Sequence, residues 1–394
     1  MRFSSAVLAT QAPPLSPLME RAARVRAEGR DLFVLAQAMV DYDPPPAFPA
    51  ALQKALTEGG PALHGYAPDP GIPELRAELA GYLARSFGLT RDPESEILVT
   101  PGANHAAYLA LSTLLEPGDE ALLISPWYFN HEMTLRLLGA KARTITARAE
   151  EGFAPRIAEI RDAWSPELRV ILLVNPNNPT GACYPHDWIA SFEESLRSDP
   201  RWDEVWILSD QTYQEIHFTG AHPRSPVPRP ERTLTVGSFS KCFALAGWRL
   251  GFITGPSGFI EQALKVQDSS VICAPRGPQR ALAHVLSRPD RIESYLGQKR
   301  TLLERRRNAL LRPLRSDRRL RITTPAGACF AFVGLPEGTD GERFAWDLLE
   351  KEAVFVVPGV HFGPEWRSFV RLSFGSGSED RLAEAGSRII RAMG

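Results

Sequence analysis

The chain has 394 residues, 44% of them hydrophobic and 23% charged, a balance that supplies a sizeable core and excludes disordered and fibrous classes. Its 45 basic and 46 acidic side chains leave a net charge of −1, so no global field recruits nucleic acid or anionic lipid. The length predicts two or three structural units, and no Gly/Ser-rich linker separates them.

The opening MRFSSAVLATQA holds one Arg and an apolar segment too short for a signal-peptide core, and no later run approaches the ~18 apolar residues of a membrane helix. Cys183, Cys242, Cys273 and Cys329 form no CxxC pair, so neither a disulfide framework nor a zinc site is signalled. A reducing, cytoplasmic setting is expected. Residues 17–28 have a helical period, and the DYDPPPAFP run after them predicts extended or turning backbone.

From about residue 95 to residue 255, short apolar runs alternate with helix-period segments. Strands are expected at 96–100, 120–125, 141–146, 169–174, 204–209, 233–237 and 250–254. Continuous runs such as ILLVN suit strands buried on both faces, which predicts an α/β fold with a mostly parallel seven-stranded sheet wrapped by helices. Downstream, helices are expected at 276–286, 292–314, 341–351 and 379–393, and strands at 327–334, 353–357 and 368–373. These form a smaller α+β unit shared by both chain ends. Residues 1–45 would pack with it, 46–275 would form the large unit, and 276–394 the small one. The basic stretch from Lys299 to Arg321 reads as a solvated helix face. The histidines His64, His105, His186, His217, His222, His284 and His361 have no metal-ligand spacing and read as structural or surface residues.

Ligands of such sheets lie beyond the carboxyl ends of the strands. After ILVT comes Pro101-Gly102-Ala103-Asn104-His105, a turn opening a helix, where free N–H groups and the helix dipole favour an anion. After ILLV comes NPNNPTG, residues 175–181, whose doubled Asn-Pro steps fix a turned backbone with amides presented outward. Asp210 and Tyr213 follow the next strand. Ser238-Phe239-Ser240-Lys241 follows the one after, with Arg249 eight positions past the lysine. An amine just after two hydroxyls, with a guanidinium further on, supplies a nucleophile and donors for a phosphate.

Taken in order, NPNNPTG, SDQTY, SFSKCFALAGWRLG and the RLSF that begins at Arg371 resemble the aspartate aminotransferase family, the class I/II aminotransferases among fold-type-I pyridoxal-phosphate enzymes, over essentially the whole chain. The resemblance implies pyridoxal 5'-phosphate held as a Schiff base on Lys241, whose ordinary pKa of ~10.4 the site must depress. It implies Asp210 on the pyridinium nitrogen, Tyr213 and Asn178 on the ring's phenolic oxygen, and Tyr128 stacked on the ring, with Trp127 the neighbouring alternative. His131 would orient Asp210. Ser238, Ser240, Arg249 and the backbone at Ala103 and Asn104 would form the phosphate cup. Tyr66 resembles the tyrosine that reaches the phosphate of a neighbouring subunit, which implies a homodimer. Arg371, with Asn178 and Ala38, would hold the substrate carboxylate.

The implied activity is transfer of an amino group between an amino acid and a 2-oxo acid by a ping-pong route. The alternatives on the same cofactor residues are C–S β-elimination, racemisation, or an oxidising or decarboxylating reaction. A pyridoxal-phosphate-binding regulator is the remote one, because residues 1–45 leave no room for a DNA-binding module. One departure bears on the pocket: Leu35-Ala36-Gln37-Ala38 stands where relatives carry a glycine-rich segment, and two added methyl groups would reshape the space there.

Overall fold

The computed structural model describes residues 2–11, 15–218 and 223–394. His222 lies outside the described residues, as do Met1 and Ala12 of the opening segment. In chain order the strands are β1 (Phe33–Val34), β2 (Ile97–Thr100), β3 (Glu120–Ser125), β4 (Lys141–Thr146), β5 (Leu168–Val174), β6 (Trp206–Asp210), β7 (Thr233–Ser238), β8 (Gly251–Thr254), β9 (Arg321–Ile322), β10 (Phe330–Gly334), β11 (Val354–Phe355), β12 (Val357–Pro358) and β13 (Phe369–Ser373).

Seven of them form one sheet in the order β2-β8-β7-β6-β5-β3-β4. β8 runs against both of its neighbours, and every other pairing is parallel. The interior strands are apolar on both faces because helices cover both. Helices Ala103–Leu114 and Ser257–Ser270 enclose one cluster with Leu98, Leu123, Leu172 and Val236, and the larger core fills the other face. β4, at the edge, alternates exposed and half-buried residues instead, as a strand covered on one side must.

Register places the chemistry. Val174 pairs with Asp210 and Asp210 with Val236, so the chain leaves β5, β6 and β7 at nearly one level. The expected strand at 204–209 begins later and runs through Asp210, which fixes that carboxylate to the sheet rather than to a loop.

The smaller sheet, β12-β13-β10-β9, is antiparallel, and β1 pairs in parallel with β11, tying the N-terminal segment to it. The expected strand at 353–357 is split into β11 and β12, with Val356 between them. The helix expected from 292 starts at Pro289, where proline's missing N–H costs nothing in a first turn. Among the described residues no helix is long and apolar enough to cross a membrane.

The basic stretch is not a solvated face throughout. Arg306 and Arg307 are buried: Arg306 donates to Asp41 and to the Gly375 carbonyl, and Arg307 donates to the Pro325 carbonyl and lies over the Phe218 ring. Both share a helix face with Leu303, Leu310 and Leu314, so helical phase carries them inward, where packing and carbonyl acceptors replace water. Arg300 is drawn in too, with its side chain 14% exposed beside Glu215 and Glu293.

Candidate active site

A cavity of about 430 Å³ opens at the carboxyl ends of β5, β6 and β7. It gathers Ala38, Ala103, Asn104, Tyr128, Asn178, Asp210, Tyr213, Ser238, Ser240, Lys241, Arg249 and Arg371, each singled out from sequence. His131 stands behind it. Tyr66 lies elsewhere, 75% exposed, beside Val271 and Arg276.

Asp210 ends β6 and is buried. Its Oδ1 accepts from the Thr212 N–H at 2.9 Å, and its Oδ2 lies 3.3 Å from Nε2 of His131. Burial pushes the carboxyl upward, but the His131 contact and the Thr212 donors outweigh it and hold the group below the usual carboxylate value. Lys241 follows β7, with its backbone carbonyl pinned by the Tyr42 hydroxyl at 2.6 Å and its Nζ donating to the Ala38 carbonyl. Burial first, then the Arg371 and Arg249 charges, lower its pKa from the ordinary 10.5. That makes the amine a better nucleophile and proton carrier near neutrality.

A cradle of donors lies beside them. The Ser238 and Ser240 hydroxyls are 2.9 Å apart, and Ser238 Oγ also accepts the Ser240 N–H. Arg249 adopts left-handed backbone at φ 53° and bends its guanidinium back onto the Pro101 and Ala246 carbonyls. Gly102 opens the helix Ala103–Leu114 at φ 88°, and a Cβ there would come within 2.6 Å of Arg249 Nη2. Glycine is therefore what lets the guanidinium and the free helix N–H groups converge.

Arg371, on β13, is buried between aromatic faces, its guanidinium carbon 4.5 Å from the Phe330 ring centre and 5.2 Å from that of Phe362. It donates to Asn178 Oδ1 at 2.8 Å and to the Ala36 carbonyl at 2.7 Å, while its Nε is buried with no partner among the described residues. Ala36 thus supplies the carbonyl at this arginine, and the Ala38 carbonyl belongs to Lys241. Tyr128 lines the cavity with its hydroxyl pushed up to about 12 by burial, whereas Trp127 packs against the cluster that helices Ala103–Leu114 and Ser257–Ser270 enclose. Tyr213 is also buried, edge-on to Phe330, with its hydroxyl pushed well above the ordinary value by desolvation.

The NPNNPTG amides do not all face outward. Asn175 accepts from the Tyr184 N–H, and Asn177 accepts from the Thr180 N–H and hydroxyl. Their side chains satisfy the loop's own polar backbone, which would otherwise be buried without partners. Only Asn178 turns to the cavity. The wall also holds Leu15, Met39, Phe129 and Thr212, none singled out from sequence. Thr212 was findable from the usual turn after an aspartate at a strand end. Leu15 and Met39 carried no local signal.

This sheet, with a lysine, a carboxylate and a cradle of hydroxyl, guanidinium and helix N–H donors at its strand ends, defines an α/β enzyme of fold-type-I architecture. The chain belongs to the family Aminotransferase class I and II, whose pattern matches residues 30–389. It is 33% identical to the aspartate/prephenate aminotransferase of Thermus thermophilus, over 95% of this chain and 94% of the relative. It is 31% identical to the aspartate aminotransferase of Pyrococcus horikoshii, over 98% of this chain and 96% of the relative. A solved Thermus thermophilus aspartate aminotransferase, a single mutant, superposes with a TM-score of 0.92 at 32% identity, covering 100% of both chains. The protein is an aminotransferase, and the family is one that works with pyridoxal phosphate.

Proposed function

We propose that this chain binds pyridoxal 5'-phosphate in the cavity and moves an amino group between an amino acid and a 2-oxo acid by a ping-pong route. The observation that carries the reading is the meeting of a buried lysine of lowered pKa, a buried carboxylate held ionised, and a cradle of hydroxyl, guanidinium and helix N–H donors in one cavity.

The residues present fit the cofactor. Ser238, Ser240, Arg249 and the helix N-terminus at Ala103 and Asn104 match a phosphate in charge and donor count, and Gly102 keeps the cradle clear. Asp210 suits a protonated ring nitrogen, while Tyr213 and Asn178 are donors suited to a phenolic oxygen. Tyr128 offers an aromatic face at the cavity wall. When bound, pyridoxal phosphate supplies a carbonyl carbon that takes up the amino group and a ring that accepts the electron pair left at the substrate α-carbon.

This chain's own residues do the rest. Nζ of Lys241 would hold the cofactor and, once free, would take up the proton from the substrate α-carbon. Asp210 keeps a positive charge fixed on the ring side of the cavity, and His131 fixes Asp210. Arg371 receives the α-carboxylate with the Asn178 amide beside it, and Nε, which has no partner among the described residues, is its spare donor.

Further parts of the reading are a homodimer in which the exposed Tyr66 reaches the neighbouring phosphate cradle, a cytoplasmic setting, and a division into residues 1–45, 46–275 and 276–394. The pairing of β1 with β11 supports the first segment's place beside the smaller unit.

The test is mass spectrometry of the cofactor after the holoprotein meets a pool of amino acids without an acceptor. Conversion to pyridoxamine phosphate with a matching 2-oxo acid is the expected result. Cofactor that stays as the aldehyde while ammonia, thiol or peroxide appears would assign an eliminating or oxidising reaction to this chain instead.

A further inference from the structure

The segment between β12 and β13 leaves the smaller sheet and lies against the carboxyl ends of β3 and β4. Ser125, the last residue of β3, is fully buried there. Its hydroxyl accepts from Nε1 of Trp366 at 2.8 Å and donates to the Glu365 carboxylate. The same carboxylate oxygen is 3.3 Å from the Thr146 hydroxyl at the end of β4. Two residues past Ser125, the Trp127 N–H donates to the Phe362 carbonyl at 3.0 Å. The join is close-fitting: Gly363 sits at φ 139°, and a Cβ on it would come within 2.7 Å of Ser125 Oγ and 2.9 Å of Glu365 Oε2.

None of Ser125, Glu365 and Trp366 lines the cavity. What they hold does bear on it. Phe362, inside the segment, is one of the two aromatic faces enclosing the Arg371 guanidinium, and its ring is 5.7 Å from that of the cavity residue Phe129. Both ends of the segment flank the same arginine, since Val357 pairs with Arg371 across β12 and β13. A planar guanidinium grips a carboxylate well only in one orientation, and here that orientation is set by Phe330 and Phe362 as well as by Asn178 and Ala36.

We propose that Ser125, Glu365 and Trp366 form a positioning staple that joins the end of β3 to the Phe362 segment and thereby fixes the Arg371 guanidinium for the substrate α-carboxylate. The inference rests on Arg371 holding that carboxylate. The staple sets substrate affinity and leaves proton transfer at Lys241 alone.

The experiment is a single-turnover titration of the holoenzyme, read from the bound cofactor's spectrum, with the fastest of the twenty proteinogenic amino acids as probe. In Ser125→Ala and Glu365→Ala the half-saturating concentration rises about tenfold, the loss expected for a hydrogen bond to a charged group, and the limiting rate stays within about twofold. Glu365→Gln keeps a carbonyl oxygen for the Ser125 proton and returns the half-saturating concentration to within about twofold of the parent. Glu365 lies at the surface, so its two variants keep the comparison open if Ser125→Ala fails to fold. An unchanged half-saturating concentration in Glu365→Ala, or a slowed limiting rate with affinity intact, overturns the staple while leaving the aminotransferase reading in place. A parent protein that reacts with none of the twenty overturns both.

Discussion

His131 Nε2 stands 3.3 Å from Asp210 Oδ2, and both side chains are buried behind the cavity. A buried carboxylate left alone would take up a proton, and this contact, with the Thr212 N–H, is what keeps it charged. Asp210→Asn is expected to lower kcat/KM by about 10²–10³, the loss typical of one preorganised electrostatic group, with folding retained. The pH dependence has a definite sign. Because the folded pKa lies below the unfolded value of 3.8, the carboxylate's contribution to stability is complete above that value and lost as pH falls through the folded one. Melting curves of parent and variant should therefore converge toward acid pH and separate above the unfolded value. Equal separation at all pH values would contradict this account of Asp210.

Lys241→Ala is expected to remove both the visible absorbance of the bound cofactor and all amino transfer. In the cofactor-free protein the Lys241 amine should acylate with a pH midpoint below the ordinary 10.5, because burial and the Arg371 and Arg249 charges disfavour its cation. Arg249→Gln removes one like charge and should move that midpoint part of the way back up, burial being the larger cause. Peptide mapping of acylated Lys241 across pH measures both. A midpoint in the parent at or above the ordinary lysine value would refute the depressed amine.

The strand-end chemistry was legible in the sequence because it depends on residue type at short spacing. Lys241, Asp210 and Asn178 each follow a short apolar run that suits a buried strand, and register then brings them together. What stayed hidden works through backbone or across long separations. Ala36 contributes only a carbonyl to Arg371, and any residue carries one. Ser125 and Glu365 meet from 240 positions apart. Arg306 and Arg307 form a third case, since the signal was present. They fall three and four positions after Leu303 and ahead of Leu310 and Leu314, which is the phase of a buried stripe. Their charge masked it.

Arg371 is expected not to tolerate lysine. The guanidinium spends two donors on Asn178 and Ala36 and lies between two rings, an arrangement that needs a planar, forked cation. Arg371→Lys should lower kcat/KM for the amino-acid half-reaction by roughly 10²–10³, in line with loss of a buried charged contact, and most of it should fall on KM. Cofactor content should be unchanged, because the phosphate cradle does not include this residue. A variant that loses cofactor instead would place Arg371 in the cofactor's site rather than the substrate's.

Arg305 and Arg306 are adjacent on one helix and should differ sharply. Arg306 Nη1 donates to Asp41 at 2.7 Å and to the Gly375 carbonyl at 2.8 Å, and Asp41 in turn accepts from the Gly377 N–H at 2.7 Å. The arginine therefore ties the N-terminal segment, the long helix and the turn after β13 into one polar joint. Arg306→Ala leaves a buried carbonyl unpaired and Asp41 without its cation. Asp41 is 42% exposed, which tempers the loss to about 2 kcal/mol of unfolding free energy. Arg305, 60% exposed beside Glu379, should cost no more than about 0.5 kcal/mol when replaced by alanine. Denaturant titration of the two variants measures the difference, and equal losses would mean that burial along this helix does not decide the role of its arginines.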